Sequence, residues 1–184
     1  MGMAREANLA NFLTAVRLVL APFVIQAILA GAHWRAAVLF AAAAATDVLD
    51  GAAARRLNLV TRMGAYLDPI ADKCLLSGVF LALAVARLAP RWLVAVILGR
   101  DLYILLGVAL FLLFTPVRRF PPSVWGKAST FVQVATVTVW LARDALELRV
   151  LDAVSAAMIW PCAAFTIWSG LDYTRRAVQV ARAH

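Results

Sequence analysis

"DVLDGAAARRLNLVTRMGAYLDPIADK", residues 47–73, sets Asp47, Asp50, Asp68 and Asp72 into a chain otherwise written for lipid. Hydrophobic residues make up 64% of the sequence and charged residues 15%, where soluble domains carry about a quarter charged. Six apolar stretches flank and include the quoted segment, near 11–30, 34–57, 65–88, 91–114, 124–142 and 150–172. Each is close to the roughly 20 residues that a helix needs to span a ~30 Å hydrocarbon core. The expected fold is an all-α integral membrane protein, one domain over residues 1–184 forming a bundle of six transmembrane helices. The polar opening "MGMAREANLANF" is expected as a short interfacial segment ahead of the first helix.

The punctuation between the stretches agrees with this: Gly31 and His33, "RRLNLVTRMG", Pro90, "TPVRRFPP" and "RDALELR". The first apolar segment lacks a small-residue cleavage site after a short apolar core, so it reads as a retained helix and not a removable signal peptide. Cys74 and Cys162 are too few for a disulfide framework and are expected as buried packing residues.

Orientation follows from Lys and Arg in alternate loops, because cytoplasmic loops carry the excess. With the N-terminus inside, Arg5, Arg55, Arg56, Arg62, Arg118, Arg119, Lys127, Arg175, Arg176 and Arg182 lie on the cytoplasmic side, against Arg35, Arg87, Arg91, Arg143 and Arg149 outside. Ten against five places both termini, and the ends carrying the aspartates, at the cytoplasmic face of the inner membrane. The net charge of +8 is spread over several loops, which suits anionic lipid headgroups and does not build the single basic face of a nucleic-acid binder.

Asp47 and Asp50 fall near the end of the second stretch and Asp68 and Asp72 near the start of the third. Spacings of three and four put each pair on one helical face, and the short connection brings the two helix ends together. Four converging carboxylates in low dielectric need a cation among them. Oxygen donors without a nearby His or Cys cluster favour Mg²⁺ or Mn²⁺ over zinc. Pairing with Arg55, Arg56 or Arg62, or helix capping, is the plainer reading, but intramembrane carboxylates are functional by default. Gly51, Gly64 and the Ala52–Ala54 run keep the wall thin, which leaves room for a flat phosphorylated ligand. Arg55 stands beside the carboxylates with donors suited to phosphate, and a nucleotide diphosphate fits this chemistry.

Residues 47–72 also match in full a D-x2-D-G-x2-A-R-x8-G-x3-D-x3-D pattern, and on this motif the chain resembles the CDP-alcohol phosphotransferases. "NFLTAVRLVLAP" at 11–22 is similar to the opening helix of that family, and the resemblance covers essentially the whole chain. It implies a six-helix membrane bundle that forms a homodimer. It implies two metal ions per active site, held by Asp47, Asp50 and Asp68 with Asp72 shared between the second metal and general-base duty. Asp50, Gly51, Ala54, Arg55 and Gly64 match the positions that receive the CDP moiety. The implied reaction is attack of an acceptor hydroxyl on the lipid-bearing phosphorus of a CDP-alcohol, with CMP leaving; a site at the membrane interface suits CDP-diacylglycerol.

"LDPIADK", "GRD" at 99–101 and "WGKASTFVQ" at 125–133 resemble the branch that uses glycerol-based acceptors. Arg100 and Lys127, with Arg118 and Arg175 as further cations, are the candidate acceptor contacts; lipid snorkelling and helix-end charge are their plainer roles. "DLYILLGVAL" lacks the G-L-R element common in phosphatidylglycerophosphate synthases. "FPPSVWGKASTF" and "SGLDYTRRAVQV" are more similar to cardiolipin synthases. Phosphatidylglycerol is therefore the expected acceptor, with glycerol 3-phosphate the alternative. A small ion or proton channel or carrier also explains buried carboxylates, but not the offsets of Gly51, Ala54, Arg55 and Gly64, and no inverted repeat is visible.

Overall fold

The computed structural model describes the backbone of residues 2–57, 62–114 and 123–182, and side chains within 16–46, 73–108, 110 and 123–179. The described residues form six α-helices and no strand: α1 (Gly2–Leu29), α2 (His33–Leu57), α3 (Arg62–Val85), α4 (Arg91–Phe114), α5 (Val124–Leu146) and α6 (Arg149–Arg182). The expected bounds of α4 coincide with those observed and α2 begins one residue earlier. The opening segment is not separate from the first helix, because α1 is helical from Gly2. Its Ala, Leu, Glu, Arg and Met residues are strong helix formers with no proline among them, so nothing stops the helix from extending outward. For the same reason α6 runs on past residue 172 to Arg182: "DYTRRAVQVAR" contains no breaker.

The turns are fixed by local chemistry. After α1, Ala32 N–H donates to Ala27 O at 2.9 Å and Gly31 N–H to Ile28 O at 3.1 Å, a Schellman ending with Gly31 at φ 69°. After α3, Leu88 donates to Leu83 O at 2.9 Å and Arg87 to Ala84 O at 3.3 Å, but here the left-handed position, φ 61°, holds an arginine. Pro90 then starts α4, its carbonyl accepting from Leu93 and Val94. These short hairpins alternate the helix directions. One end of the bundle carries the C-terminus of α2, the N-termini of α3 and α5 and the C-terminus of α6.

α1 packs on α2 and α3, α4 on α3 and α6, and α5 on α2, α3 and α6. The core between them is formed by residues such as Val24, Phe40, Val79, Phe80, Leu83, Leu93, Ile97 and Leu141. Trp140 is 1% exposed. Its ring meets Phe80 edge-on at 6.2 Å, and its Nε1–H donates to Ser155 O at 3.0 Å, giving the indole both an apolar bed and a polar partner. Cys162 is buried as expected; Cys74 is exposed, because it falls on the outward face of α3 between the inward Leu75 and Leu76 and the aspartate end. Among the described residues, Arg149–Gln179 is long and apolar enough to cross a bilayer, and Val16–Leu29 and Lys73–Val85 are shorter apolar stretches.

Candidate active site

Asp47, Asp50, Gly51, Ala54 and Arg55 belong to α2, and Gly64, Asp68 and Asp72 to α3. Both members of each aspartate pair therefore do lie on continuous helix. Their side chains lie outside the described residues, as does all of Arg118. Among the described residues no cluster of three His, Cys, Asp or Glu side chains is placed to hold a metal.

Immediately after Asp72 the described site begins. Lys73 Nζ donates to Asp101 Oδ1, so residue 101 of α4 stands beside residue 73 of α3, one position from the end of the aspartate motif. The same carboxylate oxygen accepts from Arg100 Nη1 at 2.7 Å, and Arg100 Nη2 donates to Ser169 of α6. Gly126 completes this cross-section from α5: a Cβ there would lie 3.7 Å from Arg100 Nη2 and 3.9 Å from Ser169 Oγ. The Arg100 side chain is only 9% exposed, and its Nε–H is buried without an acceptor. A buried donor left without a partner costs about 1–3 kcal/mol, so this guanidinium keeps unused hydrogen-bonding capacity at the level of Asp72.

The end of α6 is fastened around this level. Ser123 caps the start of α5 with extended backbone (φ −76°, ψ 137°), yet its hydroxyl makes no cap bond and instead donates to Asp172. Arg176 Nε donates to the same Asp172 oxygen at 2.8 Å. Tyr103 of α4 and Thr174 share a hydroxyl hydrogen bond of 2.8 Å, and Tyr173 packs over Gly107, where a Cβ would come within 3.4 Å of its ring. Arg175 lies over the Trp168 ring at 5.6 Å, a cation–π contact. Below, Gln133 Nε2 donates to Thr166 Oγ1 at 3.1 Å in a buried seam with Ser129, the small-polar glue that holds apolar helices together.

Of the four candidate acceptor contacts, Arg100 is inside this network. Lys127 is exposed one residue beyond Gly126, and Arg175 is exposed against Trp168. Ser169, Ser123 and Gly126 were not singled out by their sequence, since a lone serine or glycine in an apolar helix carries no signal of a cross-helix partner. Arg17 is a further such residue, 2% exposed in α1. Gly78 of α3 faces Ile25, and α1 and α3 run parallel, so Arg17, eight residues before Ile25, stands level with about residue 70, between Asp68 and Asp72.

Lys73, Asp101, Arg100 and Ser169 thus form a polar chain that starts one residue beyond the D-x2-D-G-x2-A-R-x8-G-x3-D-x3-D pattern. The sequence profile of the CDP-alcohol phosphatidyltransferases matches residues 7–168, and the chain belongs to this enzyme family. It is 37% identical over 97% of its length to a protein of Mycobacterium tuberculosis named "Probable phosphatidylglycerophosphate synthase", covering 85% of that protein. It is 34% identical to the Bacillus subtilis "CDP-diacylglycerol--glycerol-3-phosphate 3-phosphatidyltransferase", over 90% of this chain and 93% of the relative. The rat "Cardiolipin synthase (CMP-forming)" is 32% identical over 94% of this chain and 63% of its own. The relatives thus lean towards glycerol 3-phosphate, against the phosphatidylglycerol expected from "FPPSVWGKASTF" and "SGLDYTRRAVQV". The absent G-L-R element was a weak guide, because charge for a phosphate can come from a different helix.

Proposed function

We propose that the protein is an integral membrane enzyme that transfers the phosphatidyl group of CDP-diacylglycerol to glycerol 3-phosphate and releases CMP. The observation that carries the acceptor assignment is Arg100: a nine-tenths-buried guanidinium beside the end of the aspartate motif, with its Nε–H unpartnered. A phosphate monoester is the acceptor group that would use this donor. With Asp101 offsetting one of the charges of Arg100, Lys73 and Lys127, the remaining positive charge suits a doubly charged monoester better than the singly charged diester of phosphatidylglycerol. The names of the relatives support the same acceptor.

The donor set fits divalent cations: Asp47, Asp50, Asp68 and Asp72 offer hard oxygen ligands in two helical pairs and would hold two Mg²⁺ or Mn²⁺ ions. Bound there, the ions would neutralise the diphosphate and the departing CMP. Gly51, Ala54 and Gly64 leave space for the CDP moiety, and Arg55 grips its phosphates. The Asp72 carboxylate takes the proton from the acceptor hydroxyl; that oxygen bonds to the lipid-bearing phosphorus as the bond from phosphorus to the CMP oxygen breaks. Arg100 holds the acceptor phosphate, with Lys127, Arg118 and Arg175 as further cations for it, and so fixes which hydroxyl faces the phosphorus.

The bilayer reading rests on the outer surface. Leu102, Leu105, Leu106 and Leu110 form a stripe along α4 that is more than half exposed, and Phe131 and Trp160 are 74% and 73% exposed. Contiguous apolar faces of this kind mark lipid or partner contact, and we assign them to lipid and to a homodimer partner, with both termini cytoplasmic. Purified protein in detergent with CDP-diacylglycerol and Mg²⁺ or Mn²⁺, offered glycerol 3-phosphate or phosphatidylglycerol, tests the assignment by mass spectrometry. Phosphatidylglycerophosphate and CMP are expected from the first acceptor; cardiolipin from the second, with no product from the first, would overturn it.

A further inference from the structure

Arg100 and Lys73 are two cations that approach one another across α4 and α3, and the group between them is Asp101. Its Oδ1 accepts from both, from Arg100 Nη1 at 2.7 Å and from Lys73 Nζ. Asp101 is 13% exposed and Arg100 9%, so the attraction between them is little weakened by water, whereas Lys73 is 47% exposed and its arm of the contact is screened. Arg100 and Asp101 are successive residues, whose side chains leave a helix about 100° apart; the guanidinium must curl back to reach the carboxylate. A second hydrogen bond, from Nη2 to Ser169, fixes the other edge of the guanidinium plane, and Ser169 is 1% exposed between α4 and α5. Lys73 is the residue after Asp72, so the chain Lys73–Asp101–Arg100–Ser169 links the helix of the general base to α4 and α6.

An arginine held at both terminal nitrogens loses its rotamer freedom before a ligand arrives. What remains is one net positive charge on the two cations and Asp101 together, with the Arg100 Nε–H and the spare hydrogens of Lys73 unassigned. We propose that Asp101 and Ser169 are positioning residues, which hold Arg100 and Lys73 as a preformed clamp for the phosphate of the acceptor, set at the level of Asp72. This rests on the glycerol 3-phosphate reading given above. Removing Asp101 would leave two cations facing each other without the anion between them, and they would spread apart. Removing Ser169 would free only one edge of the guanidinium.

The test is steady-state kinetics of the detergent-purified full chain with each substrate varied in turn. Asp101→Asn is expected to raise the KM for glycerol 3-phosphate about 10–100-fold, the cost of a misplaced binding group. The KM for CDP-diacylglycerol and kcat at saturating acceptor stay within about threefold. Ser169→Ala gives a smaller rise of the same kind, about 3–10-fold, and Ser169→Thr, which keeps the hydroxyl, restores it. Equal changes in both KM values, or a fall in kcat alone, would overturn the proposal, since a merely structural role moves all constants together. If Asp101→Asn does not fold, the Ser169 pair decides alone: an unchanged acceptor KM in Ser169→Ala refutes the clamp. The wild-type run in the same experiment separates the two readings. A wild type that uses phosphatidylglycerol and not glycerol 3-phosphate refutes the acceptor assignment; one that uses glycerol 3-phosphate while the variants keep its KM refutes only the positioning roles.

Discussion

Replacing Gly126 first by alanine and then by leucine separates the space beside Arg100 from the charge it carries. A Cβ at 126 would lie 3.7 Å from Arg100 Nη2, 3.7 Å from Ser123 Cβ and 3.9 Å from Ser169 Oγ, all ordinary contact distances. Alanine therefore fits without displacing the guanidinium and gains the helix propensity that glycine lacks, about 0.8–1.0 kcal/mol. For a chain of this size that is a rise of roughly 2–4 °C in Tm. Leucine has three more carbons beyond that Cβ, which must be fitted beside Arg100 Nη2, Ser123 and Ser169. The expected cost is about 1–3 kcal/mol of overpacking, together with a rise in the glycerol 3-phosphate KM from the displaced guanidinium. Thermal unfolding followed by tryptophan fluorescence, and acceptor kinetics on the same preparations, measure both effects. An acceptor KM raised more than tenfold in Gly126→Ala, with Tm increased, would refute the reasoning, because the glycine would then be making room for the acceptor itself and not for Arg100.

Three further outcomes follow from particular residues. Removal of divalent cations with EDTA abolishes CMP release, and Mg²⁺ or Mn²⁺ restores it while Ca²⁺, larger and less exacting in geometry, restores it poorly; metal-independent turnover would contradict the carboxylate assignment. Arg17→Met, which deletes a 2% exposed cation level with the Asp68–Asp72 turn, lowers Tm by an amount consistent with about 3–5 kcal/mol, whereas an unchanged Tm would show that the charge is not part of the packed interior. Arg87→Gly relieves a left-handed residue at φ 61° and raises Tm by roughly 2–4 °C, corresponding to about 1 kcal/mol; a lower Tm would mean that the arginine side chain stabilises the turn by more than its backbone costs.

How much was legible in the sequence varies with the kind of interaction. Helix positions came from apolar runs and breakers, so α4, bounded by Pro90 and the "TPVRRFPP" segment, was placed to the residue, while the breaker-free flanks of α1 and α6 were read too short. The aspartate motif was legible because its spacing is local, three and four residues along one helix. The Lys73–Asp101 pair spans 28 residues and the Arg100–Ser169 bond 69, and no local period announces either. Lys73, next to Asp72 in the sequence, finds its carboxylate partner on α4. Asp172 bonds Arg176, one turn on, while Arg175 lies over the Trp168 ring. Which helices become neighbours is decided by packing over the whole bundle, and that set the burial of Arg17 and Trp140 and the exposure of Cys74.

The claim that the aspartate pairs of α2 and α3 perform the chemistry is tested most directly by Asp72→Asn, measured for binding of CDP-diacylglycerol and for CMP release with glycerol 3-phosphate present. The account predicts donor affinity within about threefold of wild type and CMP release reduced by about 10²–10⁴-fold, the usual contribution of a positioned general base. Undiminished CMP release from a variant that still binds the donor would contradict it.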